Sequence, residues 1–280
     1  MYNRNIAFHR QPCSDMKIER MLPMPINYLC EVVDNECLND TTYILTVVCE
    51  GLAATARAGQ FLHIKCGDAR ILRRPISICS VRSGALEFAF EVKGEGTRWL
   101  SKRKPGEMLD VLGPLGNAFS IPEGNIIVVG GGIGVPPLLL AAELAKGGVT
   151  ALLGFTDKSR VIMRDAFENA CDEVLISTDD GSFGEKGYVT DMLSKLLEGG
   201  RYEAVFACGP RPMLRAVFEL CQLHGVSCQV SLEERMGCGV GACLVCACAT
   251  LSQCGQGVVQ MSRVCMEGPV FPAHEVVWQT

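Results

Sequence analysis

The stretch Ile126-Ile127-Val128-Val129-Gly130-Gly131-Gly132-Ile133-Gly134-Val135-Pro136-Pro137 decides how this chain is read. A short apolar strand runs into a glycine turn, and Leu138–Lys146 then continues with helical spacing. Toward the C-terminus the alternation persists: strand Val149–Phe155, helix Met163–Ala170, strand Glu173–Thr178, helix Val189–Leu197, strand Glu203–Ala207, helix Met213–His224 and strand Ser227–Val230. Strands alternating with helices predict a parallel sheet with helices on both faces. The glycine turn lets the main chain approach a pyrophosphate, whose charge a helix N-terminus favours. It is not a G-x-G-x-x-G fingerprint, but Gly132 to Pro137 matches G-x-G-x-x-P. Cys208-Gly209-Pro210 and Thr178-Asp179-Asp180-Gly181-Ser182 follow later strands, and ligands of open parallel sheets bind beyond the carboxyl ends. Three such turns on one rim predict a dinucleotide site that includes Gly131, Gly132, Gly134, Cys208, Gly209 and Pro210.

Toward the N-terminus the period changes. Between Tyr28 and Phe119 the chain gives short strand-like runs at Tyr43–Cys49, Phe61–Lys65, Ile76–Val81, Leu86–Val92 and, after a Pro105-Gly106 turn, Met108–Leu112. Close spacing of that kind predicts an all-β barrel or sandwich. Arg73-Arg74-Pro75-Ile76-Ser77 carries guanidinium and hydroxyl groups on one extended run, expected to share a face and suit a phosphate. Gly94-Glu95-Gly96-Thr97 opens a helix and offers a second phosphate seat. Residues 1–25 show no clear period and are expected to form a loose extension.

After Leu232 the pattern dissolves into a Gly/Cys-rich segment expected to lack regular elements. Cys238, Cys243 and Cys246 there have the spacing C-x4-C-x2-C of plant-type 2Fe–2S ligands. Small residues between them let thiolates converge and leave N–H groups free for the sulfurs. Cys265 is read as the fourth ligand, with Cys248 and Cys254 as competitors that spacing does not separate from it. The rival reading is a structural zinc site, but none of the four histidines (His9, His63, His224, His274) falls in this segment. Cys13, Cys30, Cys37, Cys49, Cys66, Cys79, Cys171, Cys221 and Cys228 follow no ligand spacing and read as small buried hydrophobes.

Composition bounds the remaining possibilities. With 280 residues, 48% hydrophobic and 20% charged, the chain is globular and long enough for about two domains by length alone. A net charge of −5 speaks against nucleic acid as a partner. With sixteen cysteines and no apolar leader in residues 1–25, the chain is expected in a reducing cytoplasm rather than as a secreted disulfide scaffold. The uncharged stretches Ile126–Ala142 and Met236–Ser262 are too rich in Gly, Pro, Cys, Ser and Gln to span a bilayer. The expected division is therefore residues 26–121, 122–231 and 232–280, behind the extension 1–25.

The order of Arg74-Pro75-Ile76-Ser77, Gly94-Glu95-Gly96-Thr97, Gly113-Pro114-Leu115-Gly116, the glycine turn and Cys208-Gly209-Pro210 resembles the ferredoxin-reductase-like flavoproteins. Two C-terminal runs, Leu232–Cys243 and Val264–Phe271, are similar to one branch, the electron-transfer subunits of class 1B dihydroorotate dehydrogenases. The resemblance covers about residues 26 to 275. It implies a multidomain β plus α/β protein: an N-terminal Greek-key FAD-binding β-barrel, a parallel-sheet NAD-binding α/β domain and a small C-terminal 2Fe–2S module. It also implies that Arg74, Pro75, Ile76 and Ser77 hold FAD, with Gly96 and Thr97 at its pyrophosphate and Ala89, Phe90 and Glu91 along the flavin. Glu91 stands where the family often has Arg, and Ile76 where the wider superfamily has a stacking Tyr. By the same resemblance Cys238, Cys243, Cys246 and Cys265 bind the cluster, and Cys208 lies near the nicotinamide.

The implied partner is an FMN-containing dihydroorotate dehydrogenase catalytic subunit, in a heterotetramer of two plus two. Its electrons would pass through the 2Fe–2S cluster and FAD to NAD+, since a flavin links one-electron and two-electron carriers. No catalytic residue for dihydroorotate is expected in this chain. The alternatives are an NAD(P)H-dependent subunit of another redox complex, of hydrogenase, sulfite reductase or transhydrogenase type, and a non-enzymatic metal-binding module that lost its flavin. The Arg74/Ser77 pair argues against the last. Asp157 and Lys158 pull opposite ways on NAD versus NADP, and the family points to NAD. A cluster that hands electrons to a partner lies near a surface, with Val240 and Leu244 expected in that contact.

Overall fold

The computed structural model describes residues 26–69, 71–252 and 257–278, so the N-terminal extension and Cys254 lie outside the described residues. The β-rich half contains β1 (Ile26–Cys37), β2 (Thr42–Val48), the helical turn α1 (Glu50–Ala53), β3 (Phe61–Ile64), β4 (Arg74–Ser77), β5 (Ser80–Arg82), β6 (Ala85–Glu91), α2 (Glu95–Leu100) and β7 (Met108–Leu115). They form one antiparallel sheet of order β4-β3-β7-β1-β2-β6-β5. Its two edge strands are consecutive in the chain. The Ile78 N–H donates to the Gln60 carbonyl (3.0 Å), just ahead of β3, and the next residue, Cys79, donates to the Glu87 carbonyl on β6 (2.8 Å). Two residues thus carry the chain from one edge of the sheet to the other, which curls it into a barrel. The single strand expected over Ile76–Val81 is therefore two strands, because the chain changes partner at Ile78-Cys79. Period-2 alternation sends Leu86, Phe88 and Phe90 inward against Leu45, Val47 and Val32.

The second half contains β8 (Ile126–Gly131), α3 (Leu139–Leu144), β9 (Val149–Phe155), α4 (Arg164–Ala170), β10 (Glu173–Thr178), β11 (Glu185–Lys186), α5 (Val189–Glu198), β12 (Ala204–Cys208), α6 (Arg211–His224) and β13 (Ser227–Ser231). Pro136-Pro137 hold the start of the first helix in 3₁₀ geometry, so α3 is shorter than the expected Leu138–Lys146. The sheet order is β11-β10-β9-β8-β12-β13-β16, where β16 is Val270–Pro272. Chain order reverses between β8 and β12, the switch point where open α/β sheets take their ligands. Ile126 and Val128 pack on one side of the sheet and Ile127 and Val129 on the other, so the unbroken apolar run is a strand covered twice.

The segment after Leu232 is more regular than its composition suggests. β14 (Ala247–Leu251) and β15 (Val259–Arg263) make an antiparallel hairpin, and β16 joins the large sheet antiparallel to β13. The pairing partner of β16 lies some 40 residues upstream, so no local pattern announces it. The same segment is fastened to the barrel. Asn117 donates its main-chain N–H to the Gly268 carbonyl and its side-chain amide to the Glu267 carbonyl, each at 2.6 Å. The motifs around Gly113–Gly116 and Glu267–Pro269 therefore meet as one clasp.

Candidate functional site

The glycine turn and Pro210 line a cleft of about 720 Å³ at the carboxyl ends of β8, β9, β10 and β12, within the range of small-molecule sites. Gly131, Gly132, Thr156, Arg160, Asp179, Tyr188 and Met213 share its walls. A second recess of about 400 Å³ opens between Gly132, Gly134, Gly209, Pro210, Lys93 and Glu233. Five of the six residues expected at the dinucleotide thus come together at the switch point. Cys208 takes a different place from that expected. Its side chain is buried beneath the turn, where burial and the nearby Glu233 push the thiol up to about 12 and the Ser231 hydroxyl faces it. Strand alternation hides the thiol, and the following Gly209 and Pro210 reach the cleft instead.

Asp157 and Lys158 do not line the cleft. The Asp157 carboxylate accepts from the Ser159 N–H (2.8 Å) and hydroxyl (2.5 Å), and these bonds hold it below the usual carboxylate range. That cap turns the chain so that Arg160 faces the cleft, donating to the Thr41 hydroxyl at 2.5 Å and lying 3.8 Å from Glu91. Arg160 was not legible as a site residue, because only this local cap aims it. Asp179 was legible as part of the turn after β10.

At the barrel, Arg74 at the start of β4 lies over Gly96 at the start of α2: a Cβ on Gly96 would come within 2.6 Å of the Arg74 Nε. That cradle of a guanidinium against a bare main chain is the kind of seat a pyrophosphate needs. Arg74 and Ser77 stand three positions apart, an odd number, so regular alternation does not put them on one face as expected. The Thr97 hydroxyl accepts from Lys93 N–H (3.0 Å) and Gly94 N–H (3.3 Å), so it shapes the turn rather than standing free. Phe90 departs from expectation as well. Its ring is buried in the barrel, stacked on Tyr43 at 6.2 Å, and only its main chain is available outward. Glu91 alternates to the cleft side, paired with Lys93 at 3.2 Å. Arg73 is a structural neighbour: it binds the Asp110 carboxylate (2.8 Å) and the carbonyls of Asp110 (3.0 Å) and His63 (3.2 Å).

The cysteines converge in two pairs. Cys238 Sγ accepts N–H groups from Val240 (3.4 Å), Ala242 (3.3 Å) and Cys243 (3.4 Å), while Cys243 Sγ accepts from the Cys238 N–H (3.4 Å). Burial works against the Cys238 thiolate, but these N–H groups and the Cys243 thiol bring its pKa down to about 7. Cys246 and Cys265 form the inner pair, both buried; burial and the bond to Cys246 push Cys265 up to about 12. Two buried thiols side by side suit a cation between them. Among the described residues no three Cys, His, Asp or Glu side chains close on a single ion. A two-by-two arrangement with N–H donors to sulfur fits a binuclear cluster better than one tetrahedral zinc. Cys248 sits apart on β14, opposite Ser262. The limb is braced by Arg263, which donates to the Gly241 carbonyl (3.2 Å) and is gripped by Glu267. Cys243 reaches the surface between Leu244 (63% exposed) and Val240 (39%), with Val245 (57%) beside them.

Residues 233–277 match the model of the iron-sulfur cluster binding domain of dihydroorotate dehydrogenase B. The chain is 42% identical over 257 residues to the electron transfer subunit of dihydroorotate dehydrogenase B (NAD(+)) from Geobacillus thermodenitrificans, covering 88% of this chain and 96% of that one. The corresponding subunit from Desulforamulus reducens is 42% identical over 247 residues, covering 85% and 93%. Among solved structures, an NADH-dependent reduced ferredoxin-NADP oxidoreductase superposes with a TM-score of 0.79 at 32% identity, over 90% of each chain. A ferredoxin reductase of carbazole 1,9a-dioxygenase shares the fold, with a TM-score of 0.62 at 23% identity over 72% of this chain and 67% of that one.

Proposed function

The chain belongs to the electron transfer subunits of dihydroorotate dehydrogenase B, and from that premise we propose which of its residues do the work. It is an oxidoreductase subunit that uses FAD, a 2Fe–2S cluster and NAD to carry electrons away from a dihydroorotate dehydrogenase catalytic subunit, in pyrimidine biosynthesis. When bound, the flavin exchanges a hydride with the nicotinamide and single electrons with the cluster. In our reading Arg74 and the main chain at Gly96 and Thr97 hold the FAD pyrophosphate, with Pro75, Ile76, Ser77, Ala89 and the Phe90 main chain beside the ring system. Gly131, Gly132, Gly209 and Pro210 present main chain to the dinucleotide, Gly134 and Cys208 back that wall, and Asp179 accepts from a ribose hydroxyl. Cys238 with Cys243, and Cys246 with Cys265, hold the two irons. The observation that carries the reading is the pair of thiol pairs within the matched iron-sulfur segment, Cys238 with Cys243 under N–H donors and Cys246 with Cys265 buried.

The finer assembly belongs to the same proposal: an FMN-containing catalytic subunit, two copies of each chain, docking over Cys243 with Val240, Leu244 and Val245 in the contact. No helix among the described residues is long and apolar enough to cross a membrane. Free thiols at the described cysteines support a reducing cytoplasm as its place of work. The likeness to the reduced ferredoxin-NADP oxidoreductase favours one rival, a sister complex with another partner. Anaerobic co-purification with the catalytic subunit of the same genome, followed by a visible spectrum, separates the two. Flavin and iron–sulfur bands bleached by dihydroorotate and restored by NAD+ are expected. Bands reduced by NADH, without co-purification or response to dihydroorotate, would move the chain to the sister complex.

A further inference from the structure

His63 is a polar side chain buried between the barrel and the cysteine limb. It lies on β3, where Leu62 and Ile64 point into the barrel core, so Phe61 and His63 face outward. That outward face is covered: Phe61 packs in the same cluster as Cys246 and Cys265. His63 is fully buried, and neither ring nitrogen makes a hydrogen bond of full geometry. Buried nitrogens cost free energy unless a nearby main-chain group meets them. The register sets His63 opposite Pro75 of β4, the strand assigned to the flavin. On its other side lies the cysteine limb. Gly239 has a left-handed φ of +72°, and a Cβ there would come 2.5 Å from the His63 Nδ1. The main-chain groups of Cys238 and of Arg73 are the ones placed beside the ring to meet it. The imidazole is therefore the side chain wedged between the strand expected to hold flavin and the limb expected to hold iron.

We infer that His63 is a positioning residue for the cluster: its ring N–H is the donor that seats the Cys238-Gly239 main chain on the barrel and so aims the limb's N–H groups at Cys238 Sγ. The inference rests on the assignment of Cys238 as a ligand. Three N–H groups meet that sulfur at 3.3–3.4 Å because the turn through Gly239 is held in one conformation. Such bonds favour the more negative, reduced state of an iron–sulfur centre. Loosening the turn should therefore disfavour reduction, without touching a ligand.

The test uses the full chain purified with its catalytic subunit, comparing His63→Leu, which fills the space without a donor, with His63→Asn, whose amide nitrogen stands near the Nδ1 position. Iron and FAD per chain are measured first, then the cluster's potential by redox titration followed by electron paramagnetic resonance. The Leu variant should retain FAD and shift the cluster's reduction equilibrium about tenfold toward the oxidised form, which is 59 mV for a one-electron couple. The Asn variant should recover most of that shift. A Leu variant with full iron and the wild-type potential and line shape would overturn the inference, as would Asn and Leu shifting alike. If the Leu variant loses its iron, His63→Gln, which moves the amide toward the Nε2 position, decides. Iron at the wild-type potential in Asn but not in Gln supports the seat, and equal behaviour of the two sinks it. Failure of the underlying assignment looks different: a Cys238→Ser chain would keep its cluster whatever stands at 63.

Discussion

Arg73 and Arg74 are adjacent, identical in chemistry and expected to fail in different ways when each is replaced by alanine. The Arg73 guanidinium joins three strands of the barrel, with Asp110 Oδ1 at 2.8 Å, the Asp110 carbonyl at 3.0 Å, the His63 carbonyl at 3.2 Å and Asn27 Oδ1 at 3.2 Å. The two charged side chains are 24% and 28% exposed, so water screens the pair only partly. An ion-paired hydrogen bond contributes about 1.5–3 kcal/mol and neutral ones about 1 each, with part regained by solvation of the exposed edge, so Arg73→Ala should cost about 3 kcal/mol. For a chain of this length that is a fall in Tm of roughly 6–12 °C. Among the described residues Arg74 donates only to carbonyls within two positions, Leu72 at 2.7 Å and Arg73 at 3.2 Å, so Arg74→Ala should leave the melting of the flavin-free chain within about 2–4 °C of wild type. Its loss falls instead on FAD. A charge-assisted phosphate contact of about 1.5–3 kcal/mol corresponds to a Kd raised about 10- to 150-fold. Thermal melts of the flavin-free variants and fluorescence titration with FAD below both transitions separate the two. If Arg73→Ala weakened FAD as much as Arg74→Ala at a temperature where both are folded, the division of labour between the two arginines would be refuted.

Other outcomes follow from the same structure. Cys265→Ser should lose most of the cluster iron while Cys248→Ser keeps it, read as iron per chain and visible absorbance; the reverse result would transfer the fourth ligand to β14. Asp179→Asn should raise KM for NAD+ about 10-fold or more with a smaller effect on kcat, because a hydrogen bond to a charged acceptor is lost in the ground state as well as later; an unchanged KM would remove Asp179 from the ribose. Burial raises the Glu87 carboxyl above its ordinary value of 4.5. A carboxyl whose folded pKa lies above its unfolded one favours folding at low pH, and that contribution is lost as pH rises through the folded pKa. Glu87→Gln should therefore raise Tm at pH 7, with the gain disappearing below about pH 4.5; a gain independent of pH would assign the effect to packing instead.

Much of the fold was legible because its signals are local. The run Ile126–Val129, the glycine turn and the spacing of Cys238, Cys243 and Cys246 each lie within about one element, where strand period and ligand geometry act directly on neighbouring residues. The strands over Val149–Phe155 and Glu173–Thr178 match the expectation residue for residue. Errors gathered where a distant partner decides. Ile76–Val81 reads as one strand until the barrel closes and gives its halves to β3 and β6. Val270–Pro272 has no period of its own and becomes a strand because β13 offers an edge.

The sequence by itself determined a β-rich half, a parallel α/β half, a cysteine limb with iron–sulfur spacing and the flavoprotein family to which these motifs point. Tertiary structure alone decided which side chains face the site. It buried the Cys208 thiol and the Phe90 ring, set Arg160 of the α/β half against Thr41 of the barrel, and put His63 beneath Gly239, 176 positions away in the chain. The physical reason is that propensity and spacing act over a few residues, whereas orientation toward a cavity is fixed by contacts between elements far apart in sequence, which no local pattern encodes.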